Sequence, residues 1–495
     1  MSYILAIDQG TSSTKTLIFD AAAKVVARGS VPLKTHFLEG GFVEQDPMAI
    51  YENVLDSVAA CTSDFKARGG DLSQLKACGI SNQRETFVVW DKDGNPLHNA
   101  VVWQCKRSVQ VCERLRQQGL EEVIREKTGL IADPYFSGTK LIWLYENDDR
   151  VRAAIDKGEA YFGTVDTWLL FKLTSGLQYY TDYTNASRTL FFNLSDLNWD
   201  RALLARFNFS KLNLPKVKPS SAYFGHSDFE GLLDKEIAIM GMIGDSHAAA
   251  FGEGCFTPGS AKATLGTGSS IMMNIGSEPK ASKTGMISTI CWSTEERVDY
   301  AMEGVIVTCG ATIEWLKNDL GLFKDSRETE AMATAVTGNN GVYIVPAFSG
   351  LGAPHWDMSR KASVNGLTFD CNKNHVVRAA LESVAYQVKD VIVAMEHDSG
   401  IELAQLMVDG GLTANNFVMQ FLCDLLNRTI VNIGIPDVSA LGAAYMAGLK
   451  SGVYKNLEHL QKLNTDKTFI SPQPNEQVFL DYQGWQEVIR RTASA

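Results

Sequence analysis

The chain has 495 residues, 45% of them hydrophobic and 21% charged, which is too long for one compact core and predicts two domains with a cleft between them. Its formal net charge of -11 is carried without a basic block or stripe, which argues against nucleic acid and anionic membrane surfaces and favours a small-molecule partner. Nine cysteines without a close pair, and eight histidines that do not cluster with them, predict reduced thiols and neither a disulfide framework nor a His/Cys metal centre.

The opening stretch YILAIDQGTSSTKTLIFD predicts a buried strand, a tight turn at Gly10 and Thr11, and a second strand whose Thr14, Thr16 and Ile18 share one face. No basic flank followed by a long apolar region stands at the start, and no uninterrupted apolar run reaches about 18 residues. A soluble cytoplasmic protein without membrane insertion is expected. Asp8 emerges at a strand end beside hydroxyls, a setting that suits a magnesium ion or, equally, a turn cap. Lys15 offers a charge for phosphate, or is an ordinary surface lysine. KVVARGSVPL then predicts a third strand, and QDPMAIYENVLDSVAACTSDF a helix.

In SNQRETFVVW, Arg84 and Glu85 stand side by side; such a pair grips vicinal hydroxyls, one donating and the other accepting, or forms an exposed ion pair. Trp103 in VVWQCKR and Tyr135 in DPYFSGTKLIW bring aromatic bodies with polar handles, as polyol sites use, or pack in the core. MIGDSHAAAFGEG, residues 242 to 254, sets Asp245 ahead of very small side chains at a helix start, the placement of a candidate catalytic base. AKATLGTGSSIMMNIG then repeats the strand, Gly-Thr turn and strand of the opening hairpin, which predicts two related halves, 1–250 and 251–495. HVVRAALESVAYQVKDVIVAM and NNFVMQFLCDLLN predict further helices, and the alternation of strands with helices indicates an α/β protein.

Four Gly-rich turns, DQGTSSTK, GTGSS, TCGATIEW and VDGGLTANN, are candidate anion cradles or simply turns needing positive φ. Neither GxxxxGK[ST] nor a strand-linked GxGxxG occurs, so a nucleotide is bound in another way.

Taken together, these segments resemble the FGGY carbohydrate kinase family, nearest its glycerol kinase branch, from about Ile4 to the final helix. The family's two long signatures are similar to YFSGTKLIWLYEN and ASVNGLTFDCNKNHVVRAALE, while SNQRET, VVWQCKR, DPYFSGTK, GTVDTWLL and TDYTNASRT resemble glycerol kinase segments. The resemblance implies an actin-like, hexokinase-like ATPase fold, two ribonuclease-H-like domains around a central cleft. It also implies ATP and Mg2+ as cofactors, a homodimer or homotetramer, and a small polyol or ketose as acceptor. By the same resemblance Asp8 meets the metal, and Thr11, Ser12, Lys15, Thr267, Gly268, Gly310, Gly411 and Asn415 meet ATP. Arg84, Glu85, Trp103 and Tyr135 match the polyol positions, and Asp245 matches the catalytic base.

Two positions depart from the glycerol kinase pattern, which usually has Gln where Ser246 stands and Phe where Ser270 stands. Both changes shrink a side chain, and the second removes apolar surface worth about 1.5–3 kcal/mol when fully buried. A roomier, more polar pocket is expected, open to a four- or five-carbon polyol or ketose, with Ser246, His247 and Ser270 near the added hydroxyl, unless His247 is simply a packed helix residue; glycerol stays the substrate if a water or a shifted loop fills the gap. The same architecture also serves ATP-driven binding or filament proteins, for which an acceptor site has no use.

Overall fold

The structure is a computed structural model that describes residues 2–463 and 467–492. Strands β1 (Tyr3–Gln9) and β2 (Ser13–Phe19) form the expected antiparallel hairpin, closed where the Gly10 N–H donates to the Ser13 carbonyl at 3.0 Å. Thr14, Thr16 and Ile18 are all buried, as their shared face requires. β3 (Val25–Pro32) pairs antiparallel with β2. On the other side of β1 lie the strands Leu75–Asn82 and Ile237–Gly244, each parallel to its neighbour, and Gly225–Ser227 completes the six-stranded sheet. Helix α1 (Pro47–Ala67) starts at an Asp46 cap with Pro47 in the first turn, and its apolar stripe of Ile50, Val54, Val58, Cys61 and Phe65 lies over β2 and β3.

The second half repeats this scheme. Ser260–Leu265 and Ser269–Gly276 form a hairpin, Val298–Ile306 adds antiparallel, and Gln405–Asp409 and Ile430–Asn432 add parallel on the other side. Three antiparallel strands followed by two parallel ones, in the same spatial order in both sheets, is the arrangement of a ribonuclease-H-like core. The chain therefore has the actin-like, hexokinase-like fold. A five-stranded sheet of short strands between His36 and Thr164, with the helices around it, is set into the first half. Its strands run two to four residues, too short for an alternating pattern to stand out.

The helix Val438–Ser451 comes from the second half of the sequence but packs on the first sheet and on the helix Asp245–Glu253. Its run of Ala and Gly makes that approach close: a Cβ on Gly79 would lie 2.1 Å from the Ala443 carbonyl oxygen, and one on Gly442 would lie 1.9 Å from that of Ala248. Both distances are below any real contact, so this helix sits as near to the strand Leu75–Asn82 and to the helix Asp245–Glu253 as glycine permits. Gly442→Ala is expected to destabilise the fold by about 2–3 kcal/mol and to lower turnover by displacing Asp245. Urea unfolding and kcat on the same preparation check this; an unchanged midpoint would show that the helices relax freely. Among the described residues, no helix is long and apolar enough to cross a membrane.

Candidate active site

Parallel strands put their carboxyl ends on one edge, and here three such ends are in register. Gln9 pairs with Asn82, and Asn82 with Gly244, so Gly10–Thr11, Gln83–Glu85 and Asp245 all leave the sheet together. Ligands of open α/β sheets bind at that edge. Just past Asn82 the chain makes a three-residue turn, with the Thr86 N–H on the Arg84 carbonyl at 2.6 Å and Glu85 at φ 60° between them. A left-handed backbone on a non-glycine residue is unfavourable, and it is held here by the Ser137 hydroxyl donating to the Glu85 carbonyl at 2.7 Å.

The turn delivers two charged side chains into the interior. Arg84 is 4% and Glu85 1% exposed, so the exposed ion pair is excluded. Arg84 donates through Nη2 to Glu303 Oε1 at 2.7 Å, through Nη1 to Glu303 Oε2 at 3.2 Å, and through Nη2 to the Tyr135 hydroxyl at 3.3 Å. Its Nε lies 3.5 Å from Asp245 Oδ1. Arg188 Nε donates to Glu85 Oε1 at 2.5 Å, and its Nη1 lies 2.8 Å from Glu303. Trp103 stacks edge-on against Tyr135 with centroids 5.7 Å apart, and its indole N–H donates to the Thr11 hydroxyl at 2.9 Å. Thr11, expected at the phosphates, thus also anchors the Trp103 indole. Ser270, on the strand Ser269–Gly276, donates from Oγ to Glu303 Oε1 at 3.1 Å.

Asp245 opens the helix Asp245–Glu253, and its side chain is 38% exposed. Burial of the site pushes its carboxyl above the usual range against the pull of Arg84, and the Ser246 N–H donates to Oδ1 at 2.6 Å. Asp8 receives one donor, the Ser81 hydroxyl at 3.1 Å, and burial followed by the charge of Asp245 raises its pKa to about 6. Two carboxyls that oppose each other's ionisation are eased by a cation between them. Lys15 pairs with Asp8 in the ladder, but its Nζ is engaged by Asp437 Oδ1 at 2.9 Å. Among the described residues no three His, Cys, Asp or Glu side chains converge on one point. Magnesium on a nucleotide needs only one or two carboxylates, so Asp8 with water and phosphate oxygens suffices.

The second sheet brings its own turns to the matching edge. Gly310 N–H donates to Gly266 O at 2.9 Å, and Cys309 and Ala311 N–H both reach Thr267 O. A Cβ on Gly268 would lie 2.8 Å from Ile306 O, and one on Gly310 would lie 2.7 Å from Gly266 O, so these glycines let two loops lie flat on each other. Gly410, at φ 93°, bears the strain of the third turn, while the Cβ position of Gly411 is open. Asn415 caps the helix Asn416–Leu426 and donates from Nδ2 to Thr329 at 3.1 Å. Gly411 and Asn415 line a cavity of about 600 Å³ with Ile313, Thr329, Glu330 and Leu412. Thr267 and Ser12 are exposed at their turns.

Three contributors escape a reading of the sequence. Glu303 lies in YAMEGVIV, which reads as a core strand, Arg188 in NASRT has no periodic context, and Asp437 reaches Lys15 from the far end of the chain. His247 is fully buried, with Nε2 3.4 Å from the Thr289 hydroxyl and burial holding its pKa well below the usual range, which makes it a packed helix residue.

The family model of the FGGY family of carbohydrate kinases, N-terminal domain, matches residues 3–252, and that of the C-terminal domain matches residues 261–451. Glycerol kinase of Thermoanaerobacter pseudethanolicus is 44% identical over 491 residues, covering 99% of this chain and 98% of the relative. Among solved structures, Plasmodium falciparum glycerol kinase with ADP is similar at a TM-score of 0.94 and 34% identity, covering 99% of this chain and 98% of that one. Xylulose kinase from Lactobacillus acidophilus shares the fold, at a TM-score of 0.89 and 22% identity, with 100% and 99% of the two chains covered.

Proposed function

The chain belongs to the FGGY family of carbohydrate kinases, phosphotransferases with an alcohol acceptor, and from that premise we propose that it transfers the γ-phosphoryl group of ATP to a terminal primary hydroxyl of glycerol, giving glycerol 3-phosphate. The observation that carries the reading is the convergence of Asp245, Arg84, Glu85, Tyr135 and Trp103 at one strand-end edge, with Asp245 Oδ1 3.5 Å from Arg84 Nε. A filament or chaperone has no use for that cluster.

In this reading residues 1–250 hold the polyol and the phosphate and magnesium site, and residues 251–495 bind the nucleotide, in a cytoplasmic homodimer or homotetramer. Arg84 donates to one hydroxyl and Glu85 accepts from its neighbour, while Trp103 and Tyr135 flank the carbon chain. Asp245 takes the proton of the terminal hydroxyl. The freed oxygen pair forms the new bond to the γ-phosphorus, the bond from that phosphorus to the bridging oxygen breaks, and its electrons leave on ADP. The raised pKa of Asp245 makes it the stronger base. Asp8 would hold Mg2+, which when bound neutralises phosphate charge. Thr11, Ser12 and Lys15 from the first hairpin and Thr267 and Gly268 from the second face the phosphates, with Gly310, Gly411 and Asn415 around the rest of ATP.

Ser246 and Ser270 keep a second acceptor class in play, a four- or five-carbon polyol or ketose, because Ser270 puts a hydroxyl on Glu303 where a larger apolar group would fill space. ADP release with MgATP across glycerol, erythritol, erythrulose, xylulose and ribulose tests both. Glycerol is expected to lead in kcat/KM; a longer acceptor ahead by tenfold, about 1.4 kcal/mol, reassigns the substrate. Ser270→Phe is expected to raise preference for glycerol over the longer acceptors about 3–10-fold. Unchanged selectivity would remove Ser270 from the pocket wall. ATP turnover indifferent to every polyol would point instead to an actin-like binding or filament protein.

A further inference from the structure

Four buried charges tie the acceptor clamp together: Arg84 and Glu85 from the turn after Leu75–Asn82, Arg188 from the loop after the helix Tyr183–Ala186, and Glu303 from the strand Val298–Ile306. Their exposures are 4%, 1%, 0% and 0%. Arg84 and Glu85 line the acceptor site, whereas Glu303 turns both carboxylate oxygens onto the two guanidinium groups and Ser270. We propose that Glu303 is the positioning residue of the polyol clamp: by taking both Nη atoms of Arg84 it aims the Nε edge at Asp245 and the acceptor, and through Arg188 it fixes Glu85 in the same frame. This inference rests on the polyol kinase reading above.

The geometry gives three reasons. Glu303 is the one member supplied by the second sheet, so the clamp is complete only when the two halves are docked against each other. A bidentate carboxylate fixes the plane of a guanidinium, which a single contact does not. The two positive and two negative charges cancel inside the protein, so removing one leaves a buried guanidinium short of its partner and free to turn toward Glu85 or Asp245, respectively 4.0 and 3.5 Å from Arg84 Nε. Asp245 itself also faces Lys262 and, across the strand ends, Asp8. Loss of Glu303 therefore disturbs the acceptor side and leaves the nucleotide turns, which are held by backbone hydrogen bonds, in place.

The test is steady-state kinetics of the full-length protein with glycerol and MgATP. Glu303→Gln is expected to raise KM for glycerol about tenfold or more, with KM for ATP within about twofold, and to lower kcat as the freed Arg84 turns toward Asp245. Glu303→Asp, which keeps the charge but draws the carboxylate back by one methylene, is expected to restore part of the glycerol KM, and it carries the test if Glu303→Gln does not fold. A folded variant with unchanged glycerol KM overturns the proposal, as does an equal rise in both KM values. A wild-type protein that phosphorylates no polyol defeats the reading beneath; an active wild type with an indifferent Glu303→Gln defeats the inference alone.

Discussion

Asp245→Asn is expected to lower kcat about 10³-fold or more while leaving ADP binding within about twofold of wild type. The substitution keeps the shape of the side chain, and the amide oxygen still accepts the Ser246 N–H that now reaches Oδ1 at 2.6 Å. Arg84 keeps its bidentate partner Glu303, so the change does not leave a buried cation unpaired. What disappears is the proton acceptor and one negative charge. The charge has a second consequence, because Asp245 is the largest neighbouring carboxylate acting against Asp8. With it gone, Asp8 ionises at lower pH and magnesium affinity of the variant should rise modestly. Isothermal titration with MgADP, beside single-turnover phosphoryl transfer, separates the two effects. A variant that retains near wild-type turnover removes Asp245 from its assigned role.

Much of this arrangement is legible in the residue order because local chemistry carries it. The alternation in YILAIDQGTSSTKTLIFD and its echo in AKATLGTGSSIMMNIG specify two hairpins, and a hairpin fixes the direction in which Asp8 or Thr267 leaves the sheet. Asp245 stands out since an acidic residue before AAAFG has no helical stripe to serve. Glu303 is different. YAMEGVIV reads as a core strand in which an isolated Glu has no evident purpose, and only the fold shows the two guanidinium groups that it meets. Arg188 becomes meaningful once Glu85 is found within 2.5 Å, a separation of 103 residues that no local pattern encodes. The helix Val438–Ser451 escapes for a related reason: its small residues announce close packing but not the partner, and the partner belongs to the other half. Local order thus gives the frame and the candidate base Asp245, while Glu303 and Arg188, which hold Arg84 and Glu85, come from long-range pairing.

Asp8→Asn is expected to abolish magnesium-dependent transfer, by about 10²-fold or more in kcat/KM, and at the same time to stabilise the protein above pH 6. The sign follows from the raised pKa. In the folded chain Asp8 releases its proton at about pH 6, against an ordinary value of 3.8. Between those values the folded state holds a proton that the unfolded state has lost, so wild-type stability falls as pH rises through the window and stays lower above it. The shift corresponds to at most about 3 kcal/mol. Asparagine never ionises and is spared that loss, so the variant should equal wild type near pH 4 and exceed it at pH 8, measured by urea unfolding without nucleotide or metal. Adding Mg2+ and ADP should reverse the order at pH 8, since only the wild type gains metal binding. A variant that transfers phosphate within threefold of the wild-type rate would show that the carboxylate at the end of β1 caps its turn and holds no cation.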